Sequence, residues 1–239
     1  MTASDMTSDA KTIARPRLTP QPGTWLGIPP FPEAAKNELQ LSQQRKNLAH
    51  ATGVIREKRE LRASEVDDWE ELRTAAEQIK DRVGRHLDTY LLQAEEAMTK
   101  AGITVHWARD GEEANRIVAD IAKAKQVEEV VKIKSMVTQE TDLNEYLESE
   151  GIAAWETDLA ELIVQLGHDL PSHILVPAIH RNRTEVRDIF TEEMGRYGTP
   201  APEGLSNDPN ELTNAARAHL REKFLRAKMA VSGGNFIVA

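Results

Sequence analysis

The stretch EVVKIKSMVTQETDLNEYLESEGIAAWETDLAELIVQL, residues 129–166, decides the fold class of this 239-residue chain. Short apolar runs at 129–134 and 152–155 predict strands, and the segments at 139–150 and 159–166 predict helices. Alternation of strand and helix is typical of βαβ units and a parallel sheet. Strands that are apolar throughout are expected where helices cover both faces of the sheet. The stretch therefore predicts an α/β fold.

The same alternation continues on both sides of this stretch. Further strands are predicted at 103–107 (ITVHW) and at 174–176, and each is followed by a predicted helix, at 112–125 and 184–194. The pattern thus predicts a mostly parallel sheet of at least four strands with flanking helices.

A final helix is predicted from its capping residues. Asp208 suits the N-cap and Pro209 the first helical position, because proline lacks the N–H that the first turn leaves unpaired. The helix is expected to run to about residue 226 with an apolar face made of Leu212, Ala216, Leu220 and Phe224. The chain then ends in MAVSGGNFIVA. Since its last four residues are typical of a strand, we expect a chain truncated at the C-terminal end of its domain.

The N-terminal part of the chain predicts a different organisation. Six of the eleven prolines lie within residues 1–36, where regular structure is disfavoured, so this segment is predicted to be a flexible arm. Residues 37–102 are predicted to be helical, and the α/β domain is expected over 103–239. Within the helical region, apolar residues recur every three or four positions from 67 to 100, which predicts one long packing helix.

The ends of that long helix carry capping signals. Asp67 with Glu70 is compatible with a capping box at its start, and Gly102 suits the left-handed position that follows a helix end. The preceding segment, 45–62, is rich in arginine and lysine. A basic helix of this kind is either a solvated face or a surface that binds anionic partners.

Composition excludes several classes of function. The net charge is −9, which argues against non-specific nucleic-acid binding, and no apolar run approaches the roughly 18 residues of a membrane span. The chain contains no cysteine, so it offers no disulfide, no catalytic thiol and no thiolate metal site. We expect a cytoplasmic protein without a resident metal.

Candidate anion-binding residues follow the predicted strands. In parallel sheets, ligands bind beyond the carboxyl ends of the strands. Lys134, Ser135 and Thr138 follow one strand and offer an ammonium and two hydroxyls, while Gly233 and Asn235 lie in the last turn. These residues predict a small-anion or substrate site. Ordinary helix capping by Ser135 and an ordinary glycine turn are the alternatives.

Candidate proton-handling residues follow two other strands. Glu156 and His180 are predicted as catalytic groups. Asp158, two residues after Glu156, could also act as an acid or base, but it is at least as compatible with the N-cap of the next helix. His168, His173 and His180 flank one predicted strand, but no metal-binding helix motif accompanies them. Structural histidines are therefore the favoured interpretation, and no metal site is predicted.

Four blocks of sequence resemble the lactate-utilisation protein B family. They are KIKSMVTQETDLNEYLESEGI (132–152), WETDLAELIVQL (155–166), PSHILVPAIHRNRTEVRDIF (171–190) and LREKFLRAKMAVSGGNFIVA (220–239). The resemblance implies an LUD domain, which is similar to the sugar-phosphate isomerase and CoA-transferase-like α/β fold.

The resemblance also implies a function. Family members act with partner proteins A and C in the oxidation of L-lactate to pyruvate, and a C-terminal ferredoxin-like region binds two 4Fe–4S clusters. Because this chain has no cysteine, it is expected to hold no cluster itself and to serve as an electron-transfer or assembly subunit that is not catalytic alone. Association with the membrane would then come through its partners.

Two alternatives remain open from the sequence. One is a transferase- or isomerase-like enzyme domain that binds a small anion, such as a carboxylate. The other is a pure assembly module that docks through the basic helix and the proline-rich arm.

Overall fold

The computed structural model describes residues 30–133 and 135–233. The chain divides into two compact units, one comprising Ala49–Arg109 and the other the residues on either side of it. In chain order the helices and strands are α1 (Phe31–Glu38), α2 (Ser42–Ser64), α3 (Trp69–Arg85), α4 (Leu87–Lys100), α5 (Gly111–Ala124), β1 (Glu129–Ile133), α6 (Met136–Glu140), α7 (Leu143–Ser149), β2 (Ala153–Glu156), α8 (Leu159–Leu166), α9 (Arg183–Glu193), a 3₁₀ turn (Met194–Arg196), α10 (Pro209–Arg226) and β3 (Met229–Ser232).

The described part of the chain contains one parallel sheet with strand order β2-β1-β3. Since β1 is central, its residues pair on both sides, and Val131 lies opposite Trp155 on β2 and Ala230 on β3. The α/β fold class predicted from the sequence is therefore confirmed.

Two hydrophobic clusters cover the two faces of this sheet. Ala154 packs with residues of α5 and α7, whereas its neighbour Trp155 packs with residues of α8, α9 and α10. Successive residues of a strand point to opposite faces. The sheet is thus sandwiched between two helical layers, and both faces are buried as the apolar strands predicted.

The outer edge of β2 is closed by a side chain rather than by another strand. The Gln165 amide on α8 donates to the Ala154 carbonyl oxygen at 2.9 Å and accepts from the Glu156 N–H at 3.0 Å. The buried Gln165 amide thus takes the two hydrogen-bonding positions that a neighbouring strand would use.

Two predicted strands do not form. Residues 174–176 form no strand, and Ile174 and Leu175 are 63% and 73% exposed. The reason is local. The His173 Nδ1 accepts hydrogen bonds from the backbone N–H groups of both Leu175 and Val176 at 3.1 Å, so these groups cannot pair with a neighbouring strand. The strand predicted at 103–107 is likewise wrong. That segment has no regular structure and lies in the Ala49–Arg109 unit, outside the sheet.

The long helix predicted over 67–100 is divided in two. His86, with φ −126° and ψ 31°, leaves the helical conformation and separates α3 from α4. The predicted capping box is absent, since α3 starts after Asp68 without a side-chain cap. The predicted role of Gly102 is confirmed: its φ is +85°, and the N–H groups of Gly102 and Ile103 bond to the Thr99 and Met98 carbonyl oxygens.

Two further corrections concern helix ends. Helix α1 begins at Phe31 within the proline-rich segment, because Pro32 lies in its first turn, where no N–H is needed. In α10 the caps and three of the four predicted inward residues are confirmed, but Phe224 is half exposed. Lys223 is buried instead, since its Nζ lies 3.6 Å from the Trp155 ring centroid and donates to the Tyr197 carbonyl oxygen at 2.6 Å.

Within the Ala49–Arg109 unit, helices α3 and α4 contain no buried residue. The Arg59 guanidinium lies over the Trp69 ring, 5.9 Å from its centroid, and the Trp107 indole donates to Glu95 at 2.9 Å. Among the helices of the described ranges, none is long and apolar enough to cross a membrane.

We expect Gln165→Leu to destabilise the protein by about 2–4 kcal/mol, because it leaves the Ala154 carbonyl and the Glu156 N–H buried without partners. Denaturant unfolding followed by circular dichroism measures the loss. Gln40→Leu, at an exposed position in the same unit, is the control and should change stability by less than about 0.5 kcal/mol. Equal effects of the two substitutions would contradict the role of Gln165 as an edge cap.

Candidate functional site

The carboxyl ends of β1 and β3 bring Ser135 and Gly233 together. A Cβ atom on Gly233 would lie 2.5 Å from the Ser135 Cβ and 3.1 Å from its Cα, so only glycine fits at this position. The predicted anion-binding residues Lys134 and Asn235 lie outside the described residues. The structure thus places two of the five predicted binding residues in direct contact.

Ser135 and Thr138 have local structural roles. The Ser135 Oγ caps α6 by accepting the Thr138 N–H at 3.3 Å, and the Thr138 hydroxyl donates to the Ser135 carbonyl oxygen at 3.1 Å. The single hydrogen of the Thr138 hydroxyl is therefore used, whereas the Ser135 O–H has no acceptor among the described residues. Of these two hydroxyls, Ser135 is the one that can donate to an anion without breaking a bond.

Glu156 lies in a buried polar cluster at the end of β2. The register of the sheet sets it opposite Lys132 on β1, and the Lys132 Nζ lies 2.8 Å from the Glu156 Oε1. Both side chains are almost fully buried, at 2% and 5% exposure. The Asn144 amide on α7 donates to the same Oε1 at 2.9 Å. We call Lys132, Asn144 and Glu156 the β1–β2 polar cluster.

The hydrogen bonds of this cluster are unevenly distributed. Two donors converge on the Glu156 Oε1, while the Glu156 Oε2 and the Asn144 Oδ1 are buried and have no hydrogen-bond partner among the described residues. Leaving a buried acceptor unpaired costs about 1–3 kcal/mol. The cluster thus lacks hydrogen-bond donors for two of its oxygens, the Glu156 Oε2 and the Asn144 Oδ1, among the described residues.

His180 belongs to a separate network. Its Nδ1 lies 2.9 Å from the Ser172 Oγ and its Nε2 lies 3.1 Å from an Asp169 oxygen, while its carbonyl accepts from the Asn47 amide. Arg181 donates to both Asp169 oxygens at 2.7 Å. This set is typical of a structural histidine, and its hydrogen bonds do not involve Glu156.

The charges around Asp169 stabilise its ionised form. Burial raises the pKa of this carboxyl, but hydrogen bonds from His180 and Arg181 outweigh burial and lower the pKa to about 2. The ion pair between Asp169 and Arg181 therefore holds the loop that carries His180 over the whole pH range in which proteins are normally studied.

Sequence reasoning missed three polar residues. Lys132 is visible as a charged residue inside the apolar run of β1, and that interruption was the available signal. Asn144 and Glu148 lie one turn apart on α7, beside the buried Leu143 and Leu147. No pattern in the sequence marks their oxygens as buried.

The fold disfavours ionisation of the Glu148 carboxyl on α7. Both of its carboxyl oxygens are buried without a hydrogen-bond partner among the described residues. Burial, together with the negative charge of Glu145, raises its pKa from 4.5 to about 8. The side chain is therefore largely protonated at neutral pH.

The described residues do not form a cluster that fits a metal ion, and the chain lacks the ligands of an iron–sulfur cluster. No group of three or more His, Asp or Glu side chains within the described ranges is arranged to hold a metal ion. The 4Fe–4S clusters implied by the resemblance need thiolates, and none of the 239 residues is cysteine.

Comparison with known proteins gives two kinds of match. The profile of a family described as "LUD domain" matches residues 91–239. The chain is also 41% identical over 177 residues to "Lactate utilization protein B" from Bacillus cereus (strain B4264) and from Bacillus thuringiensis (strain Al Hakam). "Lactate utilization protein B 2" from Bacillus mycoides (strain KBAB4) matches to the same extent.

These alignments cover 74% of this chain but only 36% of each relative, so the chain spans just over a third of their length. No solved structure gives a significant match. The resemblance predicted from the sequence blocks is confirmed.

We expect Gly233→Ala to destabilise the protein by about 1–3 kcal/mol, because the added methyl overlaps Ser135 and forces the β1 and β3 ends apart. Thermal unfolding measures the effect. Gly195→Ala is the matched control, since its Cβ would meet Pro200 at an ordinary 3.5 Å. An unchanged melting temperature for Gly233→Ala would show that the two segments do not touch.

We expect Glu148→Gln to stabilise the protein more at pH 9 than at pH 5. The folded-state pKa is raised to about 8, so the native protein loses stability as pH rises from about 4.5 to 8 and the buried carboxyl ionises. Glutamine cannot ionise and removes this loss. Melting temperatures of both proteins across this range provide the test, with the exposed Glu192→Gln as control. A stability difference independent of pH would refute the assignment.

Proposed function

This chain belongs to the LUD domain family, and from that premise we propose that it acts in lactate utilisation. The observation that carries the proposal is the 41% identity over 177 residues to Lactate utilization protein B of Bacillus cereus. In the family that the sequence resembles, protein B acts with proteins A and C in the oxidation of L-lactate to pyruvate. We propose the same setting for this chain.

Within that setting we propose an assembly role for these residues. A role in electron transfer through 4Fe–4S clusters requires cysteines that the 239 residues do not contain. The proposed partners are the A and C proteins. Helix α2 carries exposed basic residues, Arg56, Lys58 and Arg59, and these support docking to an acidic surface.

We further propose that the carboxyl edge of the sheet binds a small carboxylate. The Ser135 hydroxyl, which has no acceptor among the described residues, and the close approach of Gly233 support this proposal. Lys134, Thr138 and Asn235 complete the proposed binding set, and Glu156 and His180 stay candidate proton-handling residues.

A second candidate is a transferase- or isomerase-like enzyme domain. The buried carboxylate of Glu156, one of whose oxygens has no donor in the described structure, favours this alternative because catalytic carboxylates occupy such environments. Turnover of a small carboxylate by the purified chain alone would distinguish an enzyme from an assembly module.

We expect deletion of the gene that encodes this chain to abolish growth of the source organism on L-lactate as sole carbon source. Growth on pyruvate, the product of the proposed oxidation, should be unaffected. Growth curves on the two carbon sources provide the measurement.

Complementation supplies the control for this experiment. A plasmid carrying the wild-type gene should restore growth on L-lactate. A deletion strain that grows on L-lactate as fast as its parent would overturn the proposed role, and a strain that fails equally on pyruvate would show a general growth defect instead.

A further inference from the structure

An apolar stripe runs along α3 and α4 and is left largely uncovered by the described residues. Its members recur every three or four positions and are Trp69, Leu72, Ala76, Ile79, Val83, Leu87, Leu91, Ala94 and Met98. The large side chains from Leu72 to Leu91 on this stripe are between 37% and 54% exposed, and neither helix contains a buried residue. A contiguous exposed apolar surface of this kind marks an interaction site.

Helices α3 and α4 cannot cover the stripe by folding against each other. Only one residue, His86, separates them. Backbone hydrogen bonds continue across it, since the His86 N–H bonds to the Val83 carbonyl oxygen at 3.2 Å and the Tyr90 N–H bonds to the His86 carbonyl oxygen at 3.1 Å. An antiparallel helix pair needs a loop of about two to five residues. A helix that covers the stripe must therefore come from another molecule or another segment.

The spacing of the stripe is nearly palindromic about Val83. Stripe residues lie 4, 7, 11 and 14 positions before Val83 and 4, 8, 11 and 15 positions after it. Two copies of this helix pair placed antiparallel and centred on Val83 would therefore set each stripe residue against a stripe residue of the other copy. The surface is thus complementary to itself, as a two-fold interface requires.

The charges beside the stripe favour the same antiparallel arrangement. Along one flank, each charged residue directly follows a stripe residue, and these residues are Arg73 and Lys80 on α3 but Asp88 and Glu95 on α4. The antiparallel arrangement sets Lys80 beside Asp88 of the second copy and Arg73 beside Glu95 of the second copy. Flanking charges of opposite sign determine the orientation of paired helices. A parallel pair would set α3 beside α3 and bring the basic flanks together.

Two of these flank residues also have neighbours within their own chain. Arg73 donates to Glu70 at 2.6 Å, and Glu95 accepts from the Trp107 indole at 2.9 Å. A guanidinium has five N–H groups and a carboxylate accepts several hydrogen bonds. Both side chains therefore retain the capacity to pair with a second copy.

We propose that this chain forms a homodimer in which α3 and α4 pair antiparallel with the same helices of a second copy, centred on Val83. The occupant of the stripe is a second copy of the chain, and the break at His86 lies beside the two-fold axis in both copies. The dimer goes beyond the proposed role in lactate utilisation, and neither proposal depends on the other.

Sedimentation equilibrium of the full 239-residue chain measures its oligomeric state. At about 50 μM, a concentration that populates a dimer whose Kd is about 1 μM, the mass should be twice the 26.7 kDa of one chain. A single-chain mass at that concentration would overturn the proposal and leave the stripe to a different protein.

Two adjacent leucines provide a matched pair of variants. Leu91 belongs to the stripe, whereas Leu92 is 65% exposed and lies about 100° further around the helix. Leu91→Glu places a charge in the apolar seam and should raise the Kd of dimerisation at least about tenfold, and Leu92→Glu should leave it unchanged. Since both side chains are exposed in the single chain, neither substitution should unfold it. Equal effects of the two variants would contradict the proposal.

An exchange of charges tests the antiparallel register. Lys80→Glu and Asp88→Lys each convert opposite-charge pairs into like-charge pairs, so each alone should raise the Kd about tenfold. The double variant Lys80→Glu/Asp88→Lys restores opposite charges across the interface and should dimerise as the wild type does. The two positions lie about 12 Å apart along one helix, so they cannot compensate each other within a chain. A double variant no tighter than the single variants would refute the antiparallel pairing.

Discussion

Parallel pairing of β1 with a strand on each side is the constraint on which the rest of the structure depends. The register sets Lys132 opposite Glu156 on one side and opposite Val231 on the other. It also brings Ser135, just after β1, against Gly233, just after β3. A shift of one residue in either pairing would turn every side chain of that strand to the other face of the sheet. The positions of the candidate site residues are therefore consequences of strand register.

Some buried polar groups of this protein have all the hydrogen-bond partners that they need, and others do not. This difference distinguishes groups with a structural role from candidate functional groups. The Gln165 amide is paired through both its oxygen and its nitrogen, and Lys223 has a carbonyl oxygen and an indole ring as neighbours. These groups close an edge and a helix contact. Glu156 and Asn144 each retain an acceptor that has no donor among the described residues. Since satisfied groups can be explained by folding alone, the unsatisfied ones call for another explanation, such as protonation, a buried water or a ligand.

Local signals predicted the elements that depend on local interactions. Helix α8 begins and ends where the sequence indicated, and the Asp208 cap of α10 accepts the two N–H groups expected of it. The strand predicted at 174–176 does not form because the adjacent His173 side chain accepts the backbone N–H groups that a strand would use. Strand propensity takes no account of this hydrogen bonding. Lys223 and Lys132 were missed for a different reason: a lysine is predicted to be exposed unless its partners are known, and those partners come from distant parts of the chain.

Because the chain contains no cysteine, its candidate functional groups are the polar residues at the sheet edge and not thiolates. The 4Fe–4S clusters that the resemblance implies need thiolate ligands, and no residue of this chain can supply them. What the chain does contain is a sheet edge where Gly233 is held against Ser135, and a buried ion pair whose lysine, Lys132, lies three residues before that serine. Because Lys132 and Glu156 belong to strands rather than loops, their separation is fixed by backbone pairing, and a site built on such elements is held more rigidly than one built on loops. A binding role in an assembly uses this rigidity without requiring the chain to transfer electrons itself.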